Sequence, residues 1–241
     1  MDQTDSHAAG RPSAWDGRYL SGRGVMPMGK IVPAREVDVG PQKLKGILNV
    51  PVDAKGLVIF AHGSGSSRLS PRNMRVAEEL QSRGLATLLL DLLTPREAAD
   101  RRNVFDVVLL AGRLVGATSW AEAQPELQGL AIGYFGASTG AAAALVAAAK
   151  PGNHVAAVVS RGGRPDVAEP MLMHVRSPVL LLAGSRDGEV VELNRRALKA
   201  LRGTKEIVIV PGAGHLFEEP GAMEQVMQHA LRWFLTYLPR D

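Results

Sequence analysis

Two kinds of apolar pattern run along the chain. In REVDVG (35–40) and KLKGILNV (43–50) apolar and polar positions alternate around Gly40 and Pro41, as in an antiparallel strand pair with one solvated face. GLVIFAHG (56–63) is an unbroken apolar run, which requires burial on both faces and predicts a central parallel strand. LATLLLDLL (85–93), IGYFGA (132–137), VAAVVS (155–160), PVLLLAG (178–184) and EIVIV (206–210) repeat that second pattern. Helical spacing fills the intervals. Ser70 and Pro71 open a helix that Gly84 stops. Val104, Val107, Val108, Ala111 and Leu114 form the apolar stripe of the next, with Gly116 as its expected close. A small-residue helix covers Ala141 to Ala149, another carries Leu193, Ala197, Leu198 and Leu201, and a last one carries Met223, Val226, Ala230 and Phe234 and stops near Pro239. The alternation predicts an α/β fold: a mostly parallel sheet of about eight strands, with the first pair as an antiparallel edge and helices on both faces.

Residues 1–30 carry Gly, Ser, Asp and Arg without a sustained period and read as a flexible tail, with Trp15 and Tyr19 as its aromatics. Residues 31–241 then read as one domain, a size that fits a single well-filled core. The chain has no cysteine, which excludes disulfides, thiolate metal sites and a thiol nucleophile and leaves covalent chemistry to oxygen or nitrogen. Its first residues are acidic where a secretory signal would be basic, so a cytoplasmic protein is expected. The most apolar stretch, 129–149, is interrupted by Ser138, Thr139 and glycines, which suits a strand and helix and not a membrane span. The net charge is +4, but Lys and Arg are scattered without aromatic interleaving, so no nucleic-acid partner is expected.

Candidate chemistry gathers just beyond the C-terminal ends of the strands, where open α/β sheets place their sites. Gly136-Ala137-Ser138-Thr139-Gly140 fits G-x-S-x-G, a sharp strand-to-helix turn that tolerates only small residues around an exposed serine. A serine at a helix start is also the commonest of caps, so the motif needs partners. His215, in VPGAGHLF after the last strand, sits in a glycine-rich loop able to carry an imidazole to the serine. Asp187, in LLLAGSRDGEV, stands where it could orient that imidazole, with Asp166 as its competitor. The order Ser138, Asp187, His215 is the one expected for this elbow. Oxyanion donors are expected from the backbone N–H groups of Thr139 and of Ser64 in FAHGSGSSR. That loop lacks both G-x-G-x-x-G and a P-loop lysine, so no dinucleotide site is expected. In RGGRPDVAEP, Arg161 and Arg164 follow a strand end and are candidates for binding a substrate carboxylate, although Asp166 or Glu169 could tie them to their own loop.

The elbow, the HGSGSS loop, the GSRD turn and the GAGHLF loop together resemble the α/β-hydrolase superfamily over about residues 35–238, and within it the small cap-free members similar to dienelactone hydrolase. The resemblance implies an α/β-hydrolase fold and hydrolysis of an ester or thioester with no metal or organic cofactor. Only about eighteen residues separate VAAVVS from PVLLLAG, where relatives insert a helical cap, so no large cap fits. One departure stands out: dienelactone hydrolases proper use a cysteine nucleophile, and the matching residue here is Ser138. The reading is therefore a serine hydrolase of small or medium carboxylic esters or thioesters, acting through an acyl-enzyme. The alternatives are a lactone hydrolase for a carboxylate-bearing substrate and a hydrolase-like module that only binds.

Overall fold

The computed structural model describes residues 33–238, so the tail, with Trp15 and Tyr19, lies outside the described residues, as does Pro239. Eight strands form one sheet: β1 (Arg35–Val39), β2 (Leu44–Asn49), β3 (Leu57–Ala61), β4 (Ala86–Leu90), β5 (Ile132–Ala137), β6 (Val155–Arg161), β7 (Val179–Gly184) and β8 (Lys205–Val210). Their spatial order is β1-β2-β4-β3-β5-β6-β7-β8. β2 runs antiparallel to both β1 and β4, and every other pairing is parallel. The helices are α1 (Pro71–Ser82), α2 (Pro95–Ala98), α3 (Arg101–Phe105), α4 (Val107–Glu122), α5 (Thr139–Ala148), α6 (Glu169–Leu172), α7 (Gly188–Ala200) and α8 (Ala222–Tyr237).

The unbroken apolar runs of the central strands have the predicted cause, but EIVIV, read as another such strand, forms β8 at the edge of the sheet, where residues 205–209 are exposed or half-buried. Successive side chains of a strand point to opposite faces. In β3, Val58 and Phe60 join Val76 and Leu80 of α1 and Val226 and Phe234 of α8 in one core. Leu57, Ile59 and Ala61 join Leu110 and Leu114 of α4 and Leu145 of α5 in the other. Each central strand feeds two cores, so it has no polar face to spare. Inside the second core the Tyr134 hydroxyl bonds to the Thr118 hydroxyl and accepts from Asn153 Nδ2 at 3.1 Å, as a buried phenol must. Burial raises its pKa.

One predicted helix is drawn differently. The stripe assigned to a single helix from Val104 to Gly116 is broken at Asp106, whose carboxylate accepts the Leu109 N–H at 2.9 Å and caps α4, leaving Val104 in the short α3. Gly116 does not close α4, which continues to Glu122. A glycine inside a helix costs only about 1 kcal/mol, and burying Ala117 and Ala121 against the core offsets it. Val108, counted in the stripe, is 68% exposed.

Ser70 starts α1 as expected, its hydroxyl accepting the Asn73 N–H, and Gly84 follows the helix at φ 80°. No described helix is long and apolar enough to cross a membrane. Between β6 and β7 the chain holds only a 3-10 turn (Pro165–Ala168) and the four-residue α6, so no cap covers the C-terminal edge there.

Candidate active site

The C-terminal ends of β3, β5, β6, β7 and β8 bring the candidate residues to one edge. Ser138 connects β5 to α5 at φ 52° and ψ −121°, a backbone conformation that a side-chain-bearing residue adopts only at a cost of about 1–3 kcal/mol. Its neighbours show how the turn is held. A Cβ on Gly136 would lie 2.4 Å from Ala141 Cα, and one on Gly140 would lie 2.2 Å from the Ala61 carbonyl oxygen. The first glycine lets α5 fold back onto β5, and the second lets the helix start press against the end of β3. The Ser138 N–H donates to the Arg161 carbonyl at 3.1 Å, tying the elbow to β6. Although Ser138 holds the N-cap position, its side chain does not cap α5, so the simplest structural role for the serine is not filled.

His215 and Asp187 meet. The imidazole Nδ1 lies 2.6 Å from Asp187 Oδ2, with the carboxylate largely shielded and the ring 40% exposed. A carboxylate at Nδ1 keeps the proton there and leaves Nε2 with its lone pair free to accept another. Two loops laced together create this pairing. Arg186 N–H donates to the Ala213 carbonyl at 2.9 Å, and Gly212 N–H donates to the Ser185 hydroxyl at 2.8 Å. Gly184 is required where they touch, because a Cβ there would lie 2.4 Å from the Ala213 oxygen. Glu219, which sequence reasoning passed over, accepts the Gly214 N–H at 3.0 Å and holds the loop from its other side; that N–H is the main reason its carboxyl lies below the usual carboxylate range. The ring lies just beyond the end of β6: a Cβ on Gly162 would be 3.6 Å from His215 Cε1, one residue after the Arg161 carbonyl that holds Ser138.

Asp166 is engaged elsewhere. Arg164 donates to it through Nε at 2.9 Å and Nη2 at 2.8 Å, and this pairing holds the Asp166 carboxyl below its usual range. The same two bonds occupy Arg164, so it is not the free guanidinium that a substrate clamp needs. Arg161 is different. It is 8% exposed, and its Nε and Nη1 are buried with no hydrogen-bond partner.

The Ser64 loop packs directly on the elbow. A Cβ on Gly63 would lie 3.0 Å from Ser138 Cβ and 3.2 Å from the Ala137 carbonyl oxygen, so a larger residue there would press the loop against the elbow. His62 fixes the loop: its Nε2 accepts the Leu92 N–H at 3.3 Å, which leaves the proton on Nδ1 to donate to the Gly63 carbonyl at 2.9 Å. Arg68 anchors the far end, its backbone N–H and its Nη1 both donating to Asp91, at 2.6 and 2.7 Å. Ser64 itself is exposed, and Thr139 is the first residue of α5, where backbone N–H groups have no partner within the helix. From this loop a cleft of about 370 Å³ opens toward α2 and α4, floored by Leu44, Leu92, Leu93, Val104 and Leu110. Among the described residues no group of three or more His, Cys, Asp or Glu is disposed to hold a metal ion.

The sequence pattern of the dienelactone hydrolase family matches residues 44–238, from β2 through the last helix. The chain belongs to the dienelactone hydrolase family. A dienelactone hydrolase from Anabaena variabilis of known crystal structure is 55% identical, with a TM-score of 0.82 over 88% of this chain and 99% of its own. The esterase domain of a Rhodothermus marinus protein, 20% identical, has the same fold with a TM-score of 0.66 over 85% of this chain and 98% of its own. A Mycobacterium tuberculosis protein whose name describes it provisionally as a phosphoribosyl transferase is 56% identical over 203 residues, which are 84% of this chain and 46% of that protein. The chain thus spans about half the length of the curated relatives it matches first, and the transferase name belongs to the longer protein. Within the dienelactone hydrolase family the fold is the α/β-hydrolase one, with its eight-stranded, mostly parallel sheet.

Proposed function

We propose that the protein is a serine hydrolase of small or medium carboxylic esters or thioesters, with Ser138 as nucleophile, His215 as base and Asp187 as the acid that orients it. The observation that carries this reading is the 2.6 Å bond between Asp187 and His215 at the strand edge that also holds the strained Ser138 elbow. In the first step Ser138 Oγ attacks the acyl carbonyl and its proton passes to His215 Nε2, while Asp187 stabilises the imidazolium through Nδ1. The carbonyl oxygen, now negative, is held by the N–H groups of Thr139 and Ser64, with the N-terminal end of α5 adding its dipole. His215 then gives the proton to the departing alkoxide or thiolate, leaving Ser138 acylated. Water, deprotonated by the same imidazole, releases the acid and restores the serine. The ~370 Å³ apolar cleft beside the Ser64 loop fits one hydrocarbon arm of such a substrate.

The family's lactone chemistry needs the same steps, since a lactone is an ester whose leaving group stays attached. A module that only binds would not need Asp187 to hold an imidazole in one tautomer at the same strand edge as a serine in a strained turn. An acyl-enzyme is directly visible in stopped flow. With 4-nitrophenyl butyrate the protein is expected to release a burst of 4-nitrophenol equal to its own concentration before the steady state. A linear release with no burst, under conditions where hydroxylamine accelerates nothing, counts against the covalent route.

A further inference from the structure

His215 is carried by a closed turn. In GHLFEE (214–219) the Gly214 carbonyl accepts the Phe217 N–H at 3.3 Å, and the Gly214 N–H donates to Glu219 Oε1 at 3.0 Å. Both backbone groups of the residue before His215 are thus held from within the turn. Phe217 stands at φ 56°, a left-handed conformation that a bulky residue adopts only under constraint. Its ring is 1% exposed, in the core that β3 shares with α1 and α8. The turn rests on Gly162, where a Cβ would lie 3.1 Å from the His215 carbonyl oxygen and 3.4 Å from the Phe217 ring. Strain in a backbone persists where its surroundings over-determine it, and it gathers at sites that must hold one geometry.

The two adjacent glutamates of the turn have different partners. Glu218 is 63% exposed and bonds to Arg72 Nη1 of α1 at 2.6 Å, a surface pair of the kind that contributes little. Glu219 is half-buried. One of its oxygens takes the Gly214 N–H, and the other, Oε2, is shielded from solvent with no hydrogen-bond partner. The Gly214 N–H first, and its own N–H second, hold its carboxyl below the usual range, so it is a carboxylate at neutral pH. Asp187 therefore bonds the imidazole, while Glu219 bonds the backbone from which the imidazole hangs.

We propose that Glu219 is a positioning residue for the reaction: by holding the Gly214 N–H it fixes the turn so that His215 keeps Nδ1 on Asp187 and Nε2 free for the serine proton. This inference rests on the serine-hydrolase reading, in which His215 is the base. The effect can be large, because a reacting group displaced by about 1 Å costs on the order of 100-fold in rate.

Two substitutions separate reach from charge. Glu219→Gln keeps an oxygen at the same reach and removes the charge, whereas Glu219→Asp keeps the charge and withdraws the oxygen from Gly214 by one methylene. With 4-nitrophenyl butyrate, Glu219→Asp and Glu219→Ala are expected to lower kcat about tenfold or more with KM within about threefold, since the cleft and the oxyanion donors are untouched. Glu219→Gln is expected to keep kcat within about threefold, and Glu218→Gln to match the parent. A second readout is independent of turnover: the His215 Nδ1 proton, seen far downfield by proton NMR at low temperature and assigned by its loss in His215→Ala. It is expected to stay sharp in Glu219→Gln and to be lost to exchange with water in Glu219→Asp. If the parent hydrolyses no ester, the serine-hydrolase reading fails, and this resonance alone decides whether Glu219 holds His215. Circular dichroism controls for folding, and should Glu219→Ala not fold, the comparison of Asp with Gln still decides. The proposal is overturned if Glu219→Asp keeps kcat within twofold of the parent, if Glu219→Gln falls as far as Glu219→Asp, or if the downfield proton is as sharp in Glu219→Asp as in the parent.

Discussion

Ser138→Ala is expected to lower kcat for an activated ester about 10⁴- to 10⁶-fold while leaving the fold intact. The size follows from removal of the attacking oxygen: residual turnover would rest on the oxyanion donors and substrate binding alone, and losses of this order accompany loss of a triad serine. The intact fold follows from the structure. The Ser138 side chain makes no cap bond, alanine has the same Cβ that the positive φ already strains, and the glycines that shape the elbow are unchanged. Melting temperature and far-ultraviolet dichroism should therefore match the parent within a few degrees. A variant that folds and still turns over at more than a tenth of the parent rate would remove Ser138 from the mechanism.

The second large effect distinguishes two aspartates. Asp187→Asn is expected to cut kcat by about 10⁴-fold at neutral pH, because an amide neither balances the imidazolium nor holds the Nδ1 proton against the competing tautomer. Asp166→Asn is expected to change kcat by about twofold at most. Its carboxylate faces Arg164, and a partly exposed pair of that kind contributes roughly 0–1 kcal/mol to stability. Measuring both variants on one ester, with circular dichroism as the control for folding, decides the matter. Reversed effects would move the acid to the β6–β7 loop and require the His215 loop to adopt a different conformation from the one described.

How much of this was legible in the sequence depended on the range of the interactions. The central strands could be read because each feeds two cores and so shows no polar face, a property visible in five or six consecutive letters. Gly116 misled because a glycine is only a weak helix breaker: the burial of Ala117 and Ala121 decided the outcome, and burial is not local information. The start of α2 could have been found, since Thr94 and Glu97 form a capping box, with the Thr94 hydroxyl accepting the Glu97 N–H and the Glu97 carboxylate accepting the Thr94 N–H. Ser138, Asp187 and His215 were picked out by their positions just beyond β5, β7 and β8, and the structure brings the last two into contact.

Other features were out of reach. Arg161 and Arg164 look alike as letters, but one ends a strand and points inward while the other begins a loop that turns back to Asp166. The anchoring of the Ser64 loop by His62, Leu92, Arg68 and Asp91 joins residues up to 30 positions apart, and no local spacing announces it.

Covalent labelling by a fluorophosphonate, followed by peptide mass mapping, tests directly whether Ser138 is an activated nucleophile. One adduct per chain is expected, located on Ser138 and formed at a rate that falls by orders of magnitude in His215→Ala. A folded protein that stays unlabelled, or an adduct on any other residue, would contradict it.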